Sequence, residues 1–239
     1  RLYGVSPEKV KVIYNGIDTS VYVPSPDQRV LEKYGIDPRL PFVLFVGRIT
    51  RQKGIIHLVE AIRHLRSGVQ LVLCAGEPDT PELGNEVKLQ VERARRESDN
   101  PIFWIPEFLT RREVMTLYSM ASVFVCPSVY EPFGLINVEA MACATPVVGS
   151  AVGGIPEIIV DGETGLLVPL RPKAPNDPEP LDPELFARDL AGAVNQLLDK
   201  PELARQMGMR GRKRVEEVFS WKSVALQTLD FYRQLLTNL

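Results

Sequence analysis

Glu131 and Glu139 flank the turn Pro132-Phe133-Gly134, where an apolar run gives way to a helical pattern. Gly134 would let a ligand approach the backbone, and the N–H groups of Leu135 and Ile136 would be first-turn donors without intrahelical acceptors. Such donors suit an anion such as phosphate. Two readings stand for Glu131: a helix cap, where acidic residues are favoured, or a ligand contact. Glu139 sits in a helix that, apart from Asn137, is made of Leu, Ile, Val, Ala, Met and Cys, so its carboxylate needs a partner or a polar ligand. Two carboxylates beside one anion site are poor phosphate ligands and good acceptors for hydroxyl groups. Sugar or ribose hydroxyls would satisfy both, which makes a sugar nucleotide more attractive than a simple phosphate.

Opposite charge comes from "GRITRQKG" at 47–54. Gly47 ends an apolar run, and Arg48 and Lys53 follow at positions able to project over a sheet edge. Beside a helix start they form a receptor for a diphosphate. The alternative is that Arg48, Arg51 and Lys53 are solvated loop charges. "SAVGGIPE" at 150–157 repeats the device, with Pro156 opening a short helix, and reads as a ligand contact or a tight turn. The basic run "RGRKR" at 210–214 reads as a solvated helix face.

Other chemistries find no support. His57 and His64 share one helical pattern without a third ligand at metal spacing, and read as helix-surface histidines rather than a zinc site. The sequence lacks G-x-S-x-G, a plausible Cys–His pair, the GxxxxGK[ST] loop, G-x-G-x-x-G after the first strand and any Asp-x-Asp. No metal and no cofactor are expected.

These residues need a scaffold. Apolar runs at 10–14, 42–47, 70–76, 102–106, 123–128, 146–150 and 165–169 predict strands buried on both faces. Helical patterns occupy 54–66, 82–98, 111–121, 134–143 and a short stretch from 155; in the first, Ile55, Leu58, Ile62 and Leu65 recur at helical spacing. The alternation predicts an α/β fold, a doubly wound, mostly parallel Rossmann-like sheet. Its ligands belong at the carboxyl ends of the strands, in the loops 47–54, 76–82, 106–113, 128–135 and 150–157. Residues 169–182, rich in proline and polar groups, predict a surface loop with little regular structure. Three helices without strands follow, at 183–199, 201–219 and 220–237, the last with an apolar stripe of Trp221, Val224, Ala225, Leu229, Tyr232 and Leu235 or Leu236. The expected division is a Rossmann-like nucleotide-sugar-binding domain at 1–182 and carboxy-terminal helices at 183–239 packed on it.

The 239 residues, 45% of them hydrophobic, suffice for a substantial core. A net charge of -2 gives no reason to expect nucleic acid or a membrane surface as partner. No apolar run approaches the ~20 residues of a membrane span. Three cysteines without CxxC spacing predict packed, reduced thiols and a cytoplasmic location. The opening at Arg1 reads like the middle of a longer polypeptide.

Taken together, "FVGRITRQKG", "VFVCPSVYEPFGLINVEAMACATPVV" and "VGGIPEIIVDGETGLLV" closely resemble the donor-binding half of the retaining glycosyltransferases with two facing Rossmann domains. The likeness runs from "VIYNGID" to "FSWKSVA", and is greatest to the actinobacterial-type ADP-glucose glycogen synthases, some of which make maltose 1-phosphate. The resemblance implies that Arg48 and Lys53 hold the donor diphosphate, Glu131 the sugar hydroxyls and Glu139 the ribose hydroxyls. The backbone around Gly134, Leu135 and Ile136 would meet sugar and phosphate, and Phe108 and Leu109 would pack the base. It further implies an α-glucan or sugar-phosphate acceptor bound through an amino-terminal domain, toward which the last helix crosses. Ala144 replaces a common glycine, and Phe133 the cysteine of "EPCGL" relatives. Competing expectations are a UDP- or GDP-sugar transferase building lipid-linked or surface glycans, a sugar-nucleotide epimerase and a non-catalytic nucleotide-binding module.

Overall fold

The computed structural model describes residues 4–237. Six apolar runs pair into one sheet: β1 (Phe42–Ile49), β2 (Gln70–Pro78), β3 (Ile102–Ile105), β4 (Val123–Cys126), β5 (Val147–Ser150) and β6 (Gly165–Val168). Every pairing is parallel, in the order β3-β2-β1-β4-β5-β6. The chain therefore winds outward in one direction from β1 and in the other from β4. At that switch point the two following helices leave to opposite faces of the sheet, which puts the carboxyl ends of β1 and β4 at the expected ligand edge.

Side chains alternate across the strands, so one run feeds two layers. Val43 and Phe45 of β1 pack with Ile55 and Leu58 of α2 (Ile55–Ala61), Val87 of α3 (Pro81–Glu97) and Leu190 of α7 (Pro183–Asp199). Phe42 and Leu44 face the other way, onto Tyr118 of α4 (Arg111–Met120), Val138 and Met141 of α5 (Leu135–Ala142) and Ile158 of α6 (Ile155–Ile158). Helix starts follow local chemistry. Thr80 and Asp182 cap α3 and α7 with prolines in the first turn, and Thr110 and Glu113 form a reciprocal capping box on α4.

Several sequence expectations are corrected. Residues 10–14 form no strand; Val10 and Val12 stand exposed, because β-branched residues make a strand only where a neighbouring strand supplies the ladder. The supposedly irregular 169–182 stretch folds into an antiparallel hairpin, β7 (Pro172–Ala174) and β8 (Asp177–Pro180). Its prolines are tolerable because this two-stranded ribbon consists only of edges. A short helix, α1 (Gln28–Lys33), was not anticipated: its apolar face is only Val30 and Leu31, and its start is fixed by Asp27. The 201–219 pattern resolves into α8 (Pro201–Arg214) and a π turn at Val215–Phe219, followed by α9 (Trp221–Thr237). The α9 stripe is uncovered, with Trp221, Leu229, Tyr232, Leu235 and Leu236 exposed.

Candidate functional site

The β1 register slips between Gly47 and Ile49, which takes Arg48 out of the ladder at the sheet edge. Arg48 is 74% exposed and pairs with Asp79 of the loop after β2 at 3.2 Å. Thr50, buried, then starts a tight turn by accepting from the Lys53 N–H through its hydroxyl at 3.2 Å. Gly54 ends the turn at φ +61°, where a Cβ would overlap the carbonyl oxygen of Pro127. The Val129 N–H donates to Gln52 O at 2.9 Å, so the loops after β1 and β4 are bound backbone to backbone.

That clasp brings Lys53 to Glu131. The ammonium donates to Glu131 Oε2 at 2.6 Å, with the two side chains 21% and 9% exposed. Ser128 donates to the same oxygen at 3.4 Å, and Ser150 holds the Ser128 carbonyl from below. Glu131 does not cap α5: the N-cap is Gly134, at φ +103°, and no side chain caps that terminus. The N–H groups of Leu135 and Ile136 make no hydrogen bond among the described residues. An open helix N-terminus, a lysine ammonium and a shielded carboxylate thus meet at the switch point, an environment for an anion on one side and hydroxyl groups on the other.

The glycine pair of 150–157 is a packing device. The Gly154 N–H donates to Glu131 O at 2.9 Å, and a Cβ on Gly153 would overlap that same oxygen. The loop after β5 therefore lies directly on the backbone that presents Glu131.

Beside this centre, Gly47, Arg48, Cys74, Glu77, Phe108 and Leu109 line a cleft of about 350 Å³ with a largely apolar wall. Phe108 is 94% exposed at its rim, whereas Leu109 is half-buried. Phe133 is not in this group. Its ring stacks on Tyr14 at 5.8 Å and meets Phe219 edge-on at 5.9 Å, so it is an anchor under the turn.

Glu139 is held from two sides: the Tyr22 hydroxyl donates to Oε1 at 2.9 Å and the Tyr118 hydroxyl to Oε2 at 3.3 Å. Burial pushes the Glu139 carboxyl above its ordinary range, and the two phenols pull it partly back. The Tyr22 phenol is pushed up to about 12, by burial first and then by the neighbouring carboxylate. Nothing in the spacing of Tyr22, Tyr118 or Gln52 announces these contacts, because each bridges distant segments; the Thr50 contact is local, to an N–H three residues on, and a threonine before a turn can signal it.

Other polar residues have structural partners. Arg51 pairs with Glu86 on α3. Arg212 and Arg214, expected on a solvated face, instead donate to Ala142 O at the end of α5 and to Ile158 O at the end of α6. There they satisfy orphan carbonyls and meet the negative end of each helix. His57 is buried rather than on the surface, edge-on to Phe186 and 3.1 Å from Glu179 of β8; His64 faces Glu184 at 2.9 Å. All three cysteines are free and buried, and no helix among the described residues is long and apolar enough to cross a membrane.

Comparison with known proteins follows the same lines. The chain is 48% identical over 234 residues to the alpha-maltose-1-phosphate synthase of Mycolicibacterium smegmatis, covering 97% of this chain and 58% of that protein. It is similar to a solved sucrose-phosphate synthase from Thermosynechococcus elongatus, with a TM-score of 0.76 and 35% identity, over 96% of this chain and 53% of the other. The crystal structure of the C-terminal domain of a glycosyl transferase group 1 family protein from Francisella tularensis matches with a TM-score of 0.68 and 26% identity, over 86% of this chain and all of that one. The chain thus spans a little over half the length of these curated relatives. The profile described as "Glycosyl transferases group 1" matches residues 27–214, which carry the sheet, the clasped loops and both glutamates, and the chain belongs to that family.

Proposed function

We propose that this chain binds the nucleotide-sugar donor of a retaining glycosyltransferase that moves glucose from ADP-glucose to an α-1,4-glucan or to glucose 1-phosphate. The observation that carries the reading is the 2.6 Å Lys53–Glu131 pair at the switch point, beside the uncapped N-terminus of α5. A diphosphate placed there meets Lys53, Arg48 and the N–H groups of Leu135 and Ile136. Glu131 accepts from sugar hydroxyls, Glu139 from ribose hydroxyls, and the base lies in the cleft of Phe108 and Leu109. As the anomeric bond breaks, negative charge accumulates on the leaving diphosphate, and cations already in place stabilise it without reorganisation. The similarity to alpha-maltose-1-phosphate synthases supports glucose transfer to a sugar phosphate or glucan.

The acceptor in this proposal lies on an amino-terminal domain facing the ligand edge. Residues 1–182 supply the donor site, and 183–239 supply helices of which α9 crosses to that domain, consistent with its uncovered stripe. Calorimetric titration of the chain with ADP and UDP tests the nucleotide: tighter UDP binding would sink the ADP assignment. Arg48→Ala in the complete enzyme should lower turnover about a hundredfold, or ~3 kcal/mol, since its exposed pair with Asp79 carries little of the fold. Near-wild-type turnover would remove Arg48 from the reaction.

A further inference from the structure

Tyr22 precedes in sequence every loop that the sheet brings to its carboxyl edge, yet it touches one of the two site glutamates. Its segment is anchored by backbone contacts of its own. The Ile17 N–H donates to Phe219 O at 2.8 Å, and the Trp221 N–H donates to Ile17 O at 3.0 Å, fixing the stretch on the junction before α9. Arg212 donates both to Tyr22 O and to Ala142 O, tying this stretch to the end of α5. The phenol thus reaches Glu139 from a fixed base.

Glu139 needs such a device. Its carboxylate is largely removed from water, which favours the protonated form, and a protonated carboxyl offers fewer acceptor sites to hydroxyl groups. The groups facing it are the phenols of Tyr22 and Tyr118, the Cys143 thiol and the more distant Arg111 guanidinium. Of these, only the two phenols donate to it. Tyr118 is fully buried and holds Oε2 toward the core. Tyr22 is the only one of the two at the boundary of the site, and it binds Oε1. A carboxylate has about four lone-pair directions, so the phenols occupy one on each oxygen and leave the others open.

We propose that Tyr22 is a positioning residue for the donor: its hydroxyl fixes Oε1 of Glu139 and leaves the remaining lone pairs of that carboxylate aimed at the ribose hydroxyls. The role rests on the donor-site reading above. It assigns a part of ribose selection to a segment that precedes the whole sheet.

The test is the preference of the chain for ADP over 2′,3′-dideoxy-ADP, measured by calorimetry for wild type, Tyr22→Phe and Glu139→Gln, with melting temperatures alongside. Wild type should prefer ADP at least tenfold. Tyr22→Phe keeps the ring and removes one hydroxyl; the preference should fall to about threefold, through ADP alone, with dideoxy-ADP affinity unchanged. The preference of Tyr22→Phe should also be lost at a higher pH on acidification than that of wild type, because Glu139 protonates more readily without its partner. A purely structural role would weaken both nucleotides equally, and that result overturns the proposal. A preference that grows would make Tyr22 a competitor of ribose and overturns it too. If Glu139→Gln retains the full preference, or wild type shows none, the ribose role of Glu139 itself fails. If Glu139→Gln abolishes it and Tyr22→Phe does not, only the Tyr22 assignment falls.

Discussion

Replacing Lys53 by methionine removes the ammonium that lies 2.6 Å from Glu131 and retains most of the aliphatic stem. Glu131 is then a carboxylate that is 9% exposed and whose remaining side-chain donor, Ser128, is 3.4 Å away. Breaking a fully buried pair from one side costs about 3–5 kcal/mol, whereas exposed pairs are worth about 0.2–1 kcal/mol. Lys53 retains 21% exposure, which places this pair between those limits, so Lys53→Met should destabilise the chain by about 2 kcal/mol. Glu131→Gln leaves the ammonium with an amide oxygen and partial access to water, and should cost about 1 kcal/mol. In the double variant neither charge is left uncompensated. Its loss should therefore be smaller than the sum of the single losses by about 1–2 kcal/mol. Urea unfolding followed by circular dichroism gives the three differences, and an unchanged m-value certifies that the same transition is compared. Strict additivity would show that the pair has no energetic reality in the free protein. Lys53 would then be a ligand contact alone, and the argument that Glu131 is pre-positioned by it would fail.

Ala144 occupies the left-handed region at φ +60° in the turn that ends α5, where Thr145 N–H donates to Ala140 O at 3.1 Å and Ala144 N–H to Met141 O at 2.9 Å. Ala144→Gly should relieve about 1–2 kcal/mol of backbone strain and return about half of it through the entropy of the unfolded chain, raising Tm by about 1–3 °C in differential scanning calorimetry. Gly153→Ala should destabilise by more than 2 kcal/mol and weaken ADP binding, because its Cβ overlaps Glu131 O. Gly162→Ala, at a similar φ of +74° in open space, should cost only about 1 kcal/mol, and equal losses would refute the clasp. The Glu113 carboxyl is held down to about 2 from its ordinary 4.5, chiefly by Lys33, with Thr110 as the next cause. Its contribution to stability is present above pH 4.5 and should be lost as the pH falls toward 2, a slope that Glu113→Gln should flatten in acid unfolding curves.

The doubly wound architecture was legible because its signal is local and repeated: consecutive apolar residues, then helical spacing, then a glycine- or proline-bearing loop. The ligand edge followed from it, and Lys53, Glu131 and Gly134 do converge there. What escaped was relational. The Tyr22 and Tyr118 contacts to Glu139 join segments remote in sequence, and neither tyrosine stands out in type or spacing. The partners of Arg212 and Arg214 are backbone carbonyls, which carry no side-chain signature. The hairpin at 172–180 was hidden by its composition, since proline argues against strands except at edges, and edges are not visible before the sheet is assembled. Residues 10–14 erred the other way, with strand-like side chains that find no ladder.

The clasp of the three loops has a bearing on how such a site can change over time. Lys53, Glu131 and the α5 terminus are presented by backbone contacts through Gln52, Pro127, Gly153 and Gly154, which constrain one another tightly. The cleft residues Glu77, at the end of β2, and Phe108 and Leu109, in the loop after β3, take no part in that interlock. Under the donor-site reading proposed above, substitutions there would alter which nucleobase fits while the charge geometry around Lys53 and Glu131 is left untouched. The molecule thus separates a part that must be inherited as a block from a part that is free to diversify.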